Sequence, residues 1–102
     1  MKEVTVLGVE NEELKIALSG DIDVGNADAF YAIVEGAYND AKKTIAFDCT
    51  ELSFIDSTTL GVFVKVSKLT EADGNKVRLL NLQARIKKLF MICALGSRME
   101  IV

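Results

Sequence analysis

The apolar residues of this chain change their spacing along the sequence, from the two-residue period of strands to the 3.6-residue period of helices. Residues 4–9 begin an extended segment, and a polar turn follows at 11–13. Residues 14–18 then alternate apolar with polar or small side chains and stop at Gly20. Together these segments predict a β-hairpin at the start of the chain.

The middle of the chain combines a helical period with a short apolar run. Residues 26–41 carry apolar side chains on one broad helical face, and Asn26 is a suitable N-cap. Residues 44–47 are apolar and have polar neighbours on both sides, which predicts a buried strand. We expect residues 48–56 to form a loop with one apolar patch.

Residues 58–72 fit both periods. Their alternating valines favour a strand, whereas the length of the segment and its helical spacing favour a helix. We predict a helix, with Ser57 as its N-cap, because burial in a tertiary core overrides propensity. A strand at 76–82 and a final helix ending before Gly96 complete the series.

The predicted order is β-β-α-β-α-β-α. Strands that alternate with helices imply parallel pairs joined by right-handed crossovers, so the fold class is α/β. We expect a mixed sheet of four or five strands with three main helices. The 102 residues suit one domain, covering residues 1–102, and half of them are hydrophobic, as in globular proteins.

Composition excludes several classes of function. The formal net charge of −3 disfavours a nucleic-acid binder. The chain has no histidine, so it cannot build a Ser-His-Asp site, and most zinc sites are also excluded. Cys49 and Cys93 form no CxxC pair, and we expect both to be small buried hydrophobic residues. No signal peptide or membrane span is visible, so we expect a cytoplasmic protein. We also expect it to need no cofactor.

Polar residues that could carry chemistry follow the predicted strands. Asp21 and Asp23 come after the second strand, Asp48 after the third, and Asp56 and Ser57 before a helix. Because the carboxyl ends of parallel strands meet at one edge of a sheet, these side chains are expected to lie together. Ser57 is either a plain N-cap or a phosphorylation acceptor. The carboxylates are either solvated or, in a receiver-like domain, bound to Mg²⁺.

A phosphate on Ser57 would change the charge of this region. It would add about −1.5 to −2 charges beside neighbouring carboxylates. At an effective dielectric of about 20 and a separation of about 4 Å, each close pair of unit charges repels by about 4 kcal/mol. Phosphorylation would therefore disfavour any interface that does not supply cations.

Four segments resemble one known family. Residues 54–62 read FIDSTTLGV, which resembles the phosphorylation loop of STAS-domain anti-sigma factor antagonists. Residues 18–23 (LSGDID) are similar to the end of that family's second strand, and residues 45–53 to its approach to the loop. Residues 86–96 resemble a further recurrent stretch. The resemblance covers nearly the whole chain in the same order.

The resemblance implies a switch and not an enzyme. Such a protein binds an anti-sigma factor that is also a serine kinase, and this binding releases a sigma factor. The kinase holds ATP and Mg²⁺ and phosphorylates the serine after the aspartate, which ends binding, and a PP2C-type phosphatase reverses it. We expect no nucleic-acid or membrane partner and a monomer when the protein is free. A STAS scaffold or sensor without phosphorylation is the alternative.

The resemblance also implies roles for single residues. Ser57 matches the phosphate acceptor, and Asp23 and Asp56 match the acidic residues that flank it. Thr59 stands where the family usually has glycine, so the approach of a partner's backbone is expected to differ at this point. The implied phosphorylation and partner-binding loop consists of Asp21, Asp23, Asp56, Ser57, Thr58, Thr59, Leu60 and Gly61.

Overall fold

The computed structural model describes all residues from 1 to 102 and confirms the predicted order of elements. A short fifth strand and a 3₁₀ turn, Leu95–Ser97, complete it. The strands are β1 (Val4–Glu10), β2 (Glu13–Ile22), β3 (Thr44–Ile55), β4 (Val77–Leu80) and β5 (Glu100–Ile101). The helices are α1 (Ala27–Ala41), α2 (Ser57–Glu71) and α3 (Ala84–Ile92).

The strands lie in the sheet in the order of the sequence, β1-β2-β3-β4-β5. Only β1 and β2 are antiparallel, and the other neighbouring strands are parallel. Because the order never reverses, crossovers of one hand place every helix on the same face of the sheet. The mixed α/β sheet predicted from the sequence is therefore confirmed, and it forms a two-layer structure.

Four phenylalanines join the helices to the sheet. The ring of Phe47 on β3 lies 6.1 Å from that of Phe30 on α1 and 5.4 Å from that of Phe63 on α2, measured between centroids. The ring of Phe90 on α3 lies 5.3 Å from that of Phe63. All four side chains are fully buried, and the edge-to-face geometry of these pairs adds to the gain from burial. The core thus lies between the helices and one face of the sheet.

The opposite face of the sheet has no helix over it and carries charges. Lys15, Ala46 and Arg78 lie side by side on three neighbouring strands. Glu13 bonds Lys15 at 3.0 Å and Arg78 at 2.8 Å, and Arg78 also contacts Glu100 at 3.2 Å. The hydrogen bond from Lys15 contributes most to lowering the pKa of Glu13, and the bond from Arg78 lowers it further. Parallel sheets are usually covered on both faces, and here this network replaces the second layer.

The third strand is longer than predicted. It runs to Ile55, so the expectation of a loop over 48–56 is wrong. Strand β2 also continues to Ile22 and pairs along this length, with register shifts that accommodate the irregular spacing of apolar residues. Leu52 is buried in this extension, so the apolar patch predicted for a loop belongs to the strand.

Three local predictions are wrong. Asp56 caps α2, and Ser57 is the first residue inside the helix rather than its N-cap. Cys93 is exposed directly after the last residue of α3, Ile92, whereas Cys49 is buried as predicted. The left-handed residue after α3 is Ala94 with φ of 58°, and not Gly96.

Candidate functional site

The carboxylate of Asp56 ties the start of α2 to the β2–α1 connection. One oxygen accepts a hydrogen bond from the backbone N–H of Thr59 at 2.9 Å, which caps the helix. The other accepts from the backbone N–H of Val24 at 2.9 Å. The hydrogen bond from Thr59 contributes most to lowering the pKa of Asp56, and the bond from Val24 lowers it further. Asp56 therefore stays ionised near neutral pH and fixes two segments that are distant in sequence.

Ser57 is exposed and stands at the first position of α2. Its hydroxyl makes no hydrogen bond within the protein, because Asp56 performs the capping that the sequence suggested for Ser57. Thr58 is exposed beside it. The first turn of a helix has free N–H groups and a positive dipole end, both of which favour an anion. The position is open to another protein and suited to a phosphate.

Thr59 points into the protein instead of toward a partner. Its side chain is fully buried, and its hydroxyl donates a hydrogen bond to the carbonyl of Ile22 at 2.6 Å. Leu60 is buried as well, whereas Gly61 is exposed. Because this side chain is buried, it adds no bulk to the exposed surface; the expected change in a partner's approach stays a prediction. The threonine instead locks the end of β2 to the first turn of α2.

The β2–α1 connection is held by its own polar groups. The backbone N–H of Gly25 donates to Asp23 at 2.9 Å, and that of Asp23 donates to the side-chain oxygen of Asn26 at 2.8 Å. Asn26 also donates to the carbonyl of Asp21 at 3.0 Å, so it stabilises the loop and makes no capping bond to α1. This network presents Val24, which is 74% exposed, at the tip of the loop.

Three of the predicted carboxylates belong to this region, and the fourth does not. Asp23 follows β2 as predicted and Asp56 precedes α2, but Asp21 lies within β2, paired with Phe54, so its predicted position after the strand is wrong. Asp48 lies within β3, opposite Ala17 and Leu80, so its predicted position after the strand is wrong. Hydrogen bonds from Thr50 lower its pKa. No group of three Asp, Glu or Cys side chains is arranged to hold a metal ion.

The region around Ser57 is a surface and not a pocket. None of the four cavities in the structure is lined by Ser57 or by Asp21, Asp23 and Asp56. This agrees with the strand order, because a sheet without a reversal lacks the crevice in which doubly wound folds bind small ligands.

Sequence reasoning missed two exposed apolar side chains near this region. Val24 lies at the loop tip and Phe54, 48% exposed, lies on β3 two residues before Asp56. An apolar residue between polar neighbours was the available signal for Val24. For Phe54 there was no signal, because its outward direction depends on the extension of β3.

The model of the STAS domain family matches residues 4–102. This chain belongs to the STAS domain family. The resemblance seen in the loop sequence is thus confirmed over almost the entire chain. An anti-sigma-B factor antagonist of Bacillus subtilis is 33% identical over 94 residues, which cover 90% of this chain and 84% of that protein. One from Listeria monocytogenes is 32% identical over 98 residues, covering 90% and 81%.

Solved STAS structures share this fold. The anti-sigma factor antagonist SpoIIAA in its unphosphorylated form has a TM-score of 0.73 and 27% identity, over 87% of this chain and 82% of that one. Bacillus SpoIIAA in its phosphorylated form has a TM-score of 0.75 and 27% identity, over 97% and 90%. No helix of this STAS protein has the length and apolar character needed to cross a bilayer.

Proposed function

We propose that this STAS protein is an anti-sigma factor antagonist that phosphorylation of Ser57 switches off. In its unmodified form it binds an anti-sigma factor and so releases a sigma factor. The observation that carries the proposal is the free, exposed hydroxyl of Ser57 at the start of α2, on a fold shared with SpoIIAA. The names of the relatives support the antagonist role, and the phosphorylated form of SpoIIAA supports the modification.

The docking surface combines an apolar tip with acidic groups. We call it the switch face and define it by Asp21, Asp23, Val24, Ser57 and Thr58. The exposed Val24 supplies apolar area that a partner can cover. Because Asp56 fastens the loop to α2, the face is formed before binding and loses little entropy on docking.

Phosphorylation would place a group of about −1.5 to −2 charges at the centre of the switch face. A partner matched to an acidic and apolar surface has no cavity for a bulky dianion and would have to desolvate it. Binding would fall because the complex becomes unfavourable, without any need for a change of fold. The carboxylate of Asp56, which stays ionised and directly precedes Ser57, would repel the added phosphate.

The remaining parts of the proposal concern the partners. The anti-sigma factor is a serine kinase that binds ATP and Mg²⁺ itself, and a PP2C-type phosphatase restores the unmodified form. This protein is then a cytoplasmic binding module without catalytic activity or a cofactor, and it is monomeric when free. The absence of a cavity near Ser57 supports a role as the substrate of another enzyme.

Binding to the cognate anti-sigma factor kinase tests the proposal. By calorimetry, wild type should bind before incubation with ATP and lose binding afterwards, with one phosphate added by mass. Ser57→Ala should bind in both conditions, and Ser57→Asp should bind at least about 10-fold more weakly, equal to about 1.4 kcal/mol.

Thr58→Ala is the matched control, because it removes the neighbouring exposed hydroxyl, and it should behave as wild type. Equal affinities of the Ala and Asp variants at position 57 would refute the switch. A phosphate found on Thr58 instead of Ser57 would show that Ser57 is not the modified residue. That result would refute the proposed switch.

A further inference from the structure

The third helix and the turn after it carry charge of the opposite sign to the rest of the chain. Residues 84–99 hold four of the twelve basic side chains and none of the fifteen acidic ones. The basic residues are Arg85, Lys87, Lys88 and Arg98. In a protein with a net charge of −3, this makes one basic segment on an otherwise acidic molecule.

The basic residues of α3 have no acidic partner within the protein. Arg85, Lys87 and Lys88 are exposed, and none takes part in any of the six ion pairs. They occupy the first half of α3, where the positive end of the helix dipole favours acidic residues. Their arrangement therefore does not serve the stability of the helix, and a partner outside the chain would account for it.

An apolar groove opens beside these cations. It has a volume of about 260 Å³ and lies between the end of β3 and α3. Its apolar walls come from Phe54, Ile55, Ile86 and Leu89, and Arg85 stands at its edge with a hydrogen bond to the carbonyl of Ser53 at 3.4 Å. The volume is below the roughly 300–1,000 Å³ of small-molecule sites. A groove of this size suits one apolar side chain.

The groove continues along α3 as an exposed stripe. Lys88 follows Arg85 by three residues and Ile92 follows Leu89 by three, so these side chains share one helical face. Ile92 is 70% exposed and Phe54 is 48% exposed. We call Phe54, Arg85, Lys88, Leu89 and Ile92 the α3 surface. An apolar centre with a basic rim is the layout of a protein interface.

We propose that the α3 surface docks an acidic segment of a protein partner, which inserts one apolar side chain into the groove. Charge complementarity selects the partner, because the α3 cations have no acidic groups of their own. A bilayer is disfavoured, since its anionic surface would repel the remaining acidic part of the chain and has no side chain to fill the groove. The proposal holds whether or not Ser57 is phosphorylated.

A titration of the full chain with defined peptides tests the α3 surface. The probes are three 12-residue peptides with the same leucines and with glutamate, glutamine or lysine at the remaining positions. We expect the glutamate peptide to shift the amide resonances of Phe54, Leu89 and Ile92 in ¹⁵N NMR spectra. Its affinity should exceed that of the glutamine peptide at least about 5-fold and fall with added salt.

Two lysines provide a matched pair of variants. Lys88→Glu should weaken binding of the glutamate peptide at least about 5-fold, whereas Lys68→Glu should leave it unchanged. Lys68 is also an exposed helical lysine without an ion pair, and it lies on α2. Equal binding of the glutamate and glutamine peptides, or no shift at the α3 surface, would overturn the proposal.

Two further measurements separate the alternatives. Binding to phosphatidylglycerol vesicles but not to the glutamate peptide would identify a lipid surface and also overturn the proposal. Ser57→Asp should retain peptide binding, because Ser57 lies outside the α3 surface. A failed peptide titration together with a normal response of kinase binding to ATP would refute the α3 surface alone and leave the proposed switch intact.

Discussion

The buried hydroxyl of Thr59 makes a sharp test of how the switch face is held. It donates to the carbonyl of Ile22 at 2.6 Å in a fully buried setting. Thr59→Val keeps the branched shape and removes the hydroxyl, which also lies 3.0 Å from Asp56 Oδ1, so the carbonyl of Ile22 loses this partner. Such a change costs about 1–3 kcal/mol of unfolding free energy. Thr59→Gly, which installs the residue that the family resemblance implies here, should cost about 1 kcal/mol more, because it also removes the buried methyl group and weakens the helix.

Urea denaturation followed by circular dichroism measures these effects as a lower midpoint at an unchanged m-value. A loss of 1 kcal/mol corresponds to a fall in Tm of about 4–8 °C for a domain near this size. The exposed neighbour supplies the control, since Thr58→Val should stay within about 0.5 kcal/mol of wild type. A Thr59→Val protein as stable as Thr58→Val would show that the bond to Ile22 does not lock the two segments together.

Two further predictions concern titration. Burial raises the pKa of the Cys49 thiol to about 12, whereas Cys93 is exposed. A thiol reagent at pH 8 should therefore modify only Cys93 in the folded protein and both cysteines after denaturation. Rapid modification of both cysteines in the native state would contradict this. The lowered pKa of Asp56 adds stability above the unfolded value near 3.8, and this is lost as pH falls through the lower folded value. Urea midpoints should therefore fall less for Asp56→Asn than for wild type between pH 6 and pH 3. Equal falls would show that the ionised carboxylate of Asp56 does not stabilise the fold.

Periodicity was enough to predict most of the fold. The first helix was predicted to within one residue, because its apolar stripe is regular and polar residues bound it. Length and helical spacing favour a helix for the second helical segment over the strand that its valines suggest, and the structure confirms the helix. The extension of β3 could not be predicted, since residues 48–55 pair through register shifts that break the two-residue alternation.

The candidate site was predictable in its residues but not in their directions. The sequence predicts that Ser57 lies at the start of a helix. That Asp56 and not Ser57 caps this helix depends on the backbone between β3 and α2. Thr59 points inward and bonds the carbonyl of Ile22 at the end of β2, a tertiary contact between residues 37 apart in sequence. Cys93 was misplaced because the helical stripe was extended one residue past the real end of α3.

The strand order also determines where the two ends of the polypeptide emerge. With β1 at one edge and β5 at the other, four gaps of about 4.8 Å set them roughly 19 Å apart. The distance between dyes attached at the two ends would therefore measure the full width of the sheet. Joining the old ends to make a permuted chain, opened at the Asn11–Glu12 turn, would need a bridge of at least about six extended residues.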